Sequence, residues 1–143
     1  MSDTASEKPQ NSLPTRAPRP NEDSKPFWDA TAEGRLTLQR CTACDTVIWY
    51  PRAICPTCSS FDLDRFDASG RGHVYSYTVV HRSVGGWNKV TPYVVAYVEL
   101  EEGPRLMTNL VDCDPFSVAI DSKVQVVWHD TGEGSALPRF TLS

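Results

Sequence analysis

The sequence predicts a mainly β fold that consists of a short N-terminal helix, a small cysteine-rich ribbon and a five-stranded barrel of the OB type. Three observations carry this prediction. Four of the five cysteines lie in two Cys-x-x-Cys pairs, at 41–44 and 55–58. Five runs rich in β-branched and aromatic residues follow them, each bounded by Gly, Pro or Asp. No long stretch between those runs has a helical period.

The N-terminal part divides into a tail and a helix. Residues 1–23 contain four of the eleven prolines and no aromatic residue, so we expect a flexible tail. A short helix is expected over residues 24–35, because Ser24 is suited to the N-cap, Pro26 to the first turn and Gly34 to the end.

Two large aromatic residues, Phe27 and Trp28, lie in this helix, which is too short to cover both of them by itself. They must pack on the body of this protein or on a second chain. The sequence leaves both alternatives open.

The ribbon is expected over residues 36–63. The segments RLTLQRC and TVIWYPRAIC read as two strands, the second stopped by Pro51, and together they predict a hairpin with the cysteine pairs at its turns. Such a small hairpin cannot stabilise itself by burial, so another source of stability is needed.

The two cysteine pairs predict a structural metal site. A Cys-x-x-Cys turn places two thiolates on adjacent corners of a tetrahedron, and four thiolates leave no open position for water or substrate. One zinc per chain is favoured over iron, which would use the same ligands, because an electron carrier has no clear use for the barrel. Two disulfides are the alternative. The predicted ligands are Cys41, Cys44, Cys55 and Cys58.

The barrel is expected over residues 64–143. Alternation along its strands indicates which side chains face inward. In the run YVVAYVEL the predicted core face consists of Val94, Ala96, Val98 and Leu100. In the first barrel run Val74, Thr78 and Val80 are expected on one side of the strand, and Tyr75 and Tyr77 on the other.

Charge and hydropathy exclude some classes of protein. The net charge of -4 argues against a partner such as nucleic acid, whose binding requires basic side chains that neutralise phosphates. From residue 27 onward the sequence contains 10 basic and 14 acidic residues. Neither a membrane span nor a signal peptide is recognisable, so we expect a cytoplasmic protein without membrane attachment.

Catalytic signatures are absent from the sequence. There is no nucleophile elbow, phosphate-binding glycine loop or zinc-protease motif. Cys113 is interpreted as an inert thiol, and His81 and His129 as surface residues. The residues therefore indicate a binding module that is stabilised by a metal ion and is not catalytic by itself.

The order of these parts resembles the DUF35 family. The resemblance covers about residues 24–143 and includes the helix FWDATAEG, both cysteine pairs, the Pro-Arg before the second pair, and SGRGHVYSY at the barrel entry. It implies a helix, a rubredoxin-like zinc ribbon and an OB-fold. It also implies an accessory subunit of a thiolase-like or lipid-transfer-protein-like enzyme, with acyl-CoA bound at the shared interface. Two accessory chains around a dimer of that enzyme would form a heterotetramer.

The resemblance does not single out the residues that touch acyl-CoA or the partner, so the candidates follow from side-chain chemistry alone. Aromatic rings offer flat apolar surface, and cations can meet CoA phosphates. The candidates are Phe27, Trp28, Tyr75, Tyr77, Arg82, Trp87, Lys89 and Arg105. The segment SVGGWNKVTPY, which includes Trp87, is interpreted as a mobile loop.

Two other functions fit the predicted fold. OB-folds and zinc ribbons both bind single-stranded nucleic acid, although the basic groove that such binding needs is missing here. A free-standing acyl-CoA-binding or redox protein is the second alternative, and an iron-thiolate spectrum would favour its redox version.

Overall fold

A computed structural model describes residues 13–143, and the fold is mainly β, as predicted. Helix α1 (Lys25–Thr31) precedes three short strands, β1 (Thr37–Cys41), β2 (Val47–Ile48) and β3 (Leu63–Asp67). Five further strands follow, β4 (Arg71–Val80), β5 (Tyr93–Leu100), β6 (Arg105–Leu110), β7 (Lys123–Asp130) and β8 (Ala136–Leu142). Two 3-10 helices, Gly85–Val90 and Pro115–Ser117, lie in the connections between barrel strands.

Helix α1 begins and ends close to the residues that the sequence indicated. Ser24 occupies the N-cap, but its hydroxyl makes no bond to the first helical turn. Instead the Asn21 N–H donates to that hydroxyl at 3.1 Å, and the Ser24 N–H donates to the Asn21 side chain at 2.9 Å. After Thr31 the chain turns, and Gly34 adopts a φ of 72°, which glycine tolerates best.

The cysteine-rich part is a three-stranded antiparallel sheet in the order β2-β1-β3. Strand β1 pairs with β3 along its whole length, from Thr37 opposite Asp67 to Cys41 opposite Leu63. The sheet therefore extends a few residues beyond the segment 36–63. Strand β3 itself was not foreseen from the sequence.

The remaining strands close into a barrel in the order β4-β5-β6-β8-β7. Neighbours are antiparallel except β6 and β8, which run parallel where Leu110 lies opposite Phe140. The five predicted strands and the OB-type barrel are confirmed. The barrel entry needs glycine, because a Cβ on Gly72 would lie 2.3 Å from the backbone oxygen of Glu99.

The barrel core contains the face predicted for β5. Val94, Ala96, Val98 and Leu100 are all buried, together with Val74, Leu106, Val124 and Phe140. Leu36, Leu38 and Phe27 belong to the same buried cluster. The core therefore joins the helix, the ribbon and the barrel.

The prediction for the faces of β4 is wrong beyond Val74. A β-bulge lies between Val74 and Ser76, and a bulge reverses the alternation of the strand that carries it. After the bulge, Tyr77 and Val79 lie opposite the inward-facing Ala96 and Val94. Thr78, expected on the side of Val74, is exposed. Since paired residues share a face of the sheet, the core side of β4 is formed by Val74, Tyr77 and Val79.

The segment that precedes the helix lies against the barrel. Leu13 is buried, and the guanidinium of Arg139 on β8 donates to the Pro14 carbonyl at 2.7 Å and to the Thr15 hydroxyl at 2.9 Å. Composition gave no sign of these contacts within the predicted tail, of which residues 1–12 lie outside the described part. Over residues 13–143 no helix is both long and apolar enough to cross a membrane.

Candidate functional site

The four predicted ligand cysteines come together at one end of the ribbon. Their sulfurs all lie within 4.8 Å of one another, with Cys41 and Cys58 at 3.5 Å and Cys44 and Cys55 at 3.6 Å. Four sulfurs around a tetrahedral zinc, each at about 2.3 Å, would be about 3.8 Å apart. The cluster therefore has the size and the donor set of a metal site.

Two similar turns place these sulfurs. The N–H of Asp45 donates to the carbonyl of Cys41 at 2.8 Å, and the N–H of Ser59 donates to the carbonyl of Cys55 at 2.9 Å. Asp45 and Ser59 have φ values of 68° and 65°. Each Cys-x-x-Cys pair is thus closed by a residue in the left-handed region, and the two knuckles face each other.

The surroundings of the sulfurs favour thiolates at some positions and oppose them at others. Burial raises the pKa of Cys55, but backbone N–H groups of Cys58 and Thr57 outweigh burial and lower it to about 6. A backbone N–H of Ser60 lowers the pKa of Cys58, but the neighbouring Cys41, burial and the other two cysteines together outweigh it and raise this pKa to about 12. Four thiolates this close need a bound cation, which fits zinc.

Gln39 on β1 fixes the segment between the two knuckles. Its side-chain nitrogen donates to the carbonyl of Arg52 at 3.0 Å, and its side-chain oxygen accepts the N–H of Arg52 at 3.0 Å. The Gln39 side chain is buried, so both bonds are shielded from water. This pair of bonds holds the chain that leads into the second knuckle, a function that the sequence did not suggest.

Of the two aromatic residues in α1, Phe27 packs in this chain's own core. Only 1% of its surface is exposed, and its ring lies edge-on to Trp49 at 5.1 Å. Trp28 is partly buried and donates its indole N–H to the Tyr50 hydroxyl at 2.8 Å. Phe27 was a candidate for ligand or partner contact, and its burial leaves no surface for that role.

Tyr75 and Arg105 lie together on the outside of the barrel. The Arg105 guanidinium is 3.7 Å from the centroid of the Tyr75 ring, and its Nε donates to Glu99 at 2.9 Å. Tyr75 remains 46% exposed. The Arg105 charge is already neutralised by Glu99, so Arg105 is a weaker candidate for phosphate contact.

Three residues of the loop SVGGWNKVTPY line a cavity on the outer face of β5 and β6. Its residues 85–90 form a 3-10 helix, which sets the Trp87 ring 4.9 Å from that of Tyr93. The cavity has a volume of about 290 Å³. Its lining consists of Ser83, Trp87, Tyr93, Val95, Met107, Thr108 and Asn109.

Of the predicted contact residues, only Trp87 lines this cavity. Arg82 and Lys89 are exposed on the same loop, beside the lining residues Ser83 and Trp87 in the chain. Tyr77 is 37% exposed and lies elsewhere, on the core side of β4.

The other titratable groups do not form a catalytic constellation within residues 13–143. His73 lies 3.9 Å from Glu99 and 3.8 Å from Asp121, weak contacts that the sequence did not reveal because all three residues are on different strands or turns. Burial, then the charges of Asp112 and Asp114, raise the pKa of Cys113. A thiol with a raised pKa is a poor nucleophile, in agreement with its interpretation as inert.

Two family models match the chain, one on each part of the fold. The model described as ChsH2, rubredoxin-like zinc ribbon domain, matches residues 28–64. The model described as ChsH2, C-terminal OB-fold domain, matches residues 67–129. The zinc-ribbon and OB-fold parts expected from the sequence are thus both confirmed.

A DUF35 domain-containing scaffold protein of Methanothermobacter thermautotrophicus is 39% identical over 99 residues, which are 68% of this chain and 74% of that protein. The chain belongs to the DUF35 family. A probable enoyl-CoA hydratase alpha subunit of Thermomonospora curvata is 43% identical over 125 residues. Those residues are 86% of this DUF35 chain but 39% of the relative, so the chain spans well under half of that protein's length.

Two further similarities are to a chain of an aldolase structure and to a thiolase subunit. In a solved structure of an Ltp2-ChsH2(DUF35) aldolase, one chain is 41% identical with a TM-score of 0.79, and the match covers 88% of this chain and 98% of that one. The benzoylsuccinyl-CoA thiolase subunit BbsA of Thauera aromatica is 27% identical, over 85% of this chain and 84% of its own length. Relatives of this chain are therefore subunits of thiolase and aldolase complexes.

Proposed function

We propose that this DUF35 chain is a non-catalytic subunit that docks on a thiolase-like enzyme and helps to bind its acyl-CoA. The observation that carries the proposal is the similarity to the matched chain of the Ltp2-ChsH2(DUF35) aldolase, because it extends over 98% of that chain. The partner would supply the carbon–carbon bond cleavage or formation, as a thiolase, an acyltransferase or an aldolase of steroid side chains. A steroid substrate is supported by a relative named 3-oxo-4,17-pregnadiene-20-carboxyl-CoA hydratase alpha subunit, from Mycobacterium tuberculosis, at 33% identity.

One zinc per chain, held by the four knuckle cysteines, is the second part of the proposal. The metal would have a structural role, since four thiolates complete its tetrahedral shell. Strand β2 has two residues, and the buried cluster at the knuckles contains Cys41, Cys55 and Ile48. So small an apolar cluster contributes little stability, and the metal would hold the ribbon in the shape that a partner recognises.

Exposed apolar side chains support a docking role. Within residues 13–143, ten large hydrophobic side chains remain exposed, and two of them lie beside the cysteine knuckles in the chain. Ile54 and Phe61 flank the second knuckle, with exposures of 42% and 74%. We expect the ribbon to meet the partner through these two residues, and two copies of the chain to bind one thiolase-like dimer.

The experiment is co-expression of the tagged chain with the thiolase-like protein encoded nearest to it, followed by size exclusion and metal analysis. A stable complex with about one zinc per copy of this chain is expected. Ile54→Asp and Phe61→Asp should each remove the partner while the zinc stays bound, because both side chains are exposed and neither belongs to the buried cluster at the knuckles.

Ile120→Asp is the matched control, since Ile120 is 55% exposed but lies in the barrel connection before β7. This variant should keep both partner and zinc. Elution of the wild-type chain alone, with its zinc but without the partner, would show that the proposed docking does not occur.

A further inference from the structure

The cavity under Trp87 has the size and lining of a site for one uncharged ring system. Its volume of about 290 Å³ is at the small end of ligand sites, and a whole acyl-CoA would not fit. None of its lining residues is charged. Trp87, Tyr93, Val95 and Met107 supply aromatic and apolar surface, so the cavity suits a flat ring that stacks.

Two polar groups of the lining keep hydrogen-bonding capacity. The Asn109 Nδ2 donates to the Val94 carbonyl at 2.9 Å, which fixes the orientation of the amide and leaves Oδ1 without a donor among the described residues. The Ser83 hydroxyl accepts a bond from Tyr93 at 3.1 Å and keeps its own proton to donate. A saturated acyl chain would leave both groups unpaired, whereas a heteroaromatic base with an amino group and ring nitrogens can pair with them.

The loop that contributes Ser83 and Trp87 to this neutral cavity also carries two positive charges. The segment 81–93 contains Arg82 and Lys89 and no acidic residue, in a chain with a net charge of -4. Neither Arg82 nor Lys89 forms an ion pair with any residue of the described range 13–143. Arg82 precedes the lining residue Ser83, and Lys89 follows Trp87 by two positions. Both exposed charges are therefore available to pair with phosphate groups of a ligand.

We infer that this chain holds the nucleotide end of coenzyme A. The adenine ring stacks against Trp87, its amino group donates to the Asn109 Oδ1, and the phosphates lie beside Arg82 and Lys89. The inference rests on the proposed function and deepens it, since it states which end of the acyl-CoA the subunit binds. The acyl group then extends toward the partner, and affinity for this chain does not depend on what the acyl group is.

Calorimetric titration of the full chain, alone and in complex with the partner, tests this assignment. Three probes are used: coenzyme A, adenosine 3′,5′-bisphosphate and pantetheine. Coenzyme A and the bisphosphate are expected to bind, and pantetheine is not. Trp87→Ala should weaken bisphosphate binding about tenfold or more, the usual value of one stacked base. Tyr97→Ala, on the same outer face but outside the cavity lining, should leave binding unchanged.

Two further comparisons separate the base from the phosphates. The bisphosphate with hypoxanthine in place of adenine should bind about tenfold more weakly, because its exocyclic carbonyl oxygen accepts hydrogen bonds and cannot donate to the Asn109 Oδ1. Arg82→Gln and Lys89→Gln should weaken binding and reduce its dependence on salt. Arg65→Gln, an exposed arginine on ribbon strand β3, is the matched control and should change neither.

Pantetheine binding without bisphosphate binding would overturn the inference, because the cavity would then hold the acyl end. Absence of bisphosphate binding to a complex that forms normally would also overturn it, while the proposed docking function would stand. Bisphosphate binding by a chain that forms no complex would support the cavity assignment and contradict the docking.

Discussion

Replacement of Phe27 by alanine is predicted to destabilise the whole chain. The Phe27 ring is 1% exposed and lies edge-on to Trp28 at 4.9 Å and to Trp49 at 5.1 Å. It belongs to the buried cluster that also contains ribbon and barrel residues. Loss of a buried phenylalanine ring costs about 3–5 kcal/mol, a large part of the roughly 5–15 kcal/mol that stabilises an ordinary domain.

Thermal unfolding of the zinc-loaded chain measures this loss. For a chain of this size the midpoint should fall by roughly 10–20 °C. Phe61→Ala is the matched control, because Phe61 is 74% exposed, and its stability should stay within about 0.5 kcal/mol of the wild type. If Phe27→Ala kept the wild-type midpoint but lost the thiolase-like partner, Phe27 would be a docking residue and the packing argument would be wrong.

Three further predictions concern the metal, the pH dependence and the barrel entry. Cys44→Ser should abolish stoichiometric zinc in metal analysis, because one of four clustered sulfurs is lost, whereas Cys113→Ser should keep it. Burial, together with the charge of Arg139, holds the pKa of His129 below its ordinary value. The neutral His129 therefore makes its whole contribution to the free energy of unfolding above about pH 6.5, and this contribution is lost as the pH falls toward the folded-state pKa. The urea midpoint should therefore fall less between pH 8 and pH 5.5 in His129→Gln than in the wild type, and an equal fall would contradict this. Gly72→Ala should destabilise the chain by about 2 kcal/mol or more in urea unfolding, because its Cβ would meet the Glu99 backbone oxygen. Gly86→Ala is the control and should stay within about 0.5 kcal/mol of the wild type, because its Cβ would lie 3.6 Å from Pro14, an ordinary contact.

The cysteine cluster and the barrel strands could be predicted because their signals are local. A Cys-x-x-Cys turn determines the positions of its two sulfurs within four residues, so the grouping of the four sulfurs follows from spacing. Strand β5 alternates without interruption, and its inward residues were correct from Val94 to Leu100. In these segments the cysteine spacing and the alternation of the strand are contained in a few consecutive residues.

The parts that were missed depend on contacts between distant residues. Strand β3 reads LDRFD, which is too charged to indicate a strand, and it forms because β1 offers it a partner along its whole length. The bulge in β4 changes which side chains of that strand face the core, and no glycine or proline marks its position in the sequence. The cavity needs the register that sets Val95 opposite Asn109, and the sequence does not fix that register.

The anchoring of the N-terminal segment is a second long-range contact. Arg139 and Thr15 are 124 residues apart in sequence, and Arg139 also contacts the His129 Nδ1 at 2.8 Å. Arg139 is 3% exposed and has no acidic partner in the described range 13–143. Because buried arginines usually pair with a carboxylate, the sequence around Arg139 gave no reason to place neutral groups of the N-terminal segment there.

The most direct test of the central claim is acyl-CoA turnover by three preparations, namely this chain alone, the thiolase-like partner alone, and the two co-expressed. We predict no turnover by this chain and faster turnover by the complex than by the partner alone. Carbon–carbon bond chemistry by this chain alone, or equal rates with and without it, would contradict the assignment as a non-catalytic subunit that helps to bind acyl-CoA.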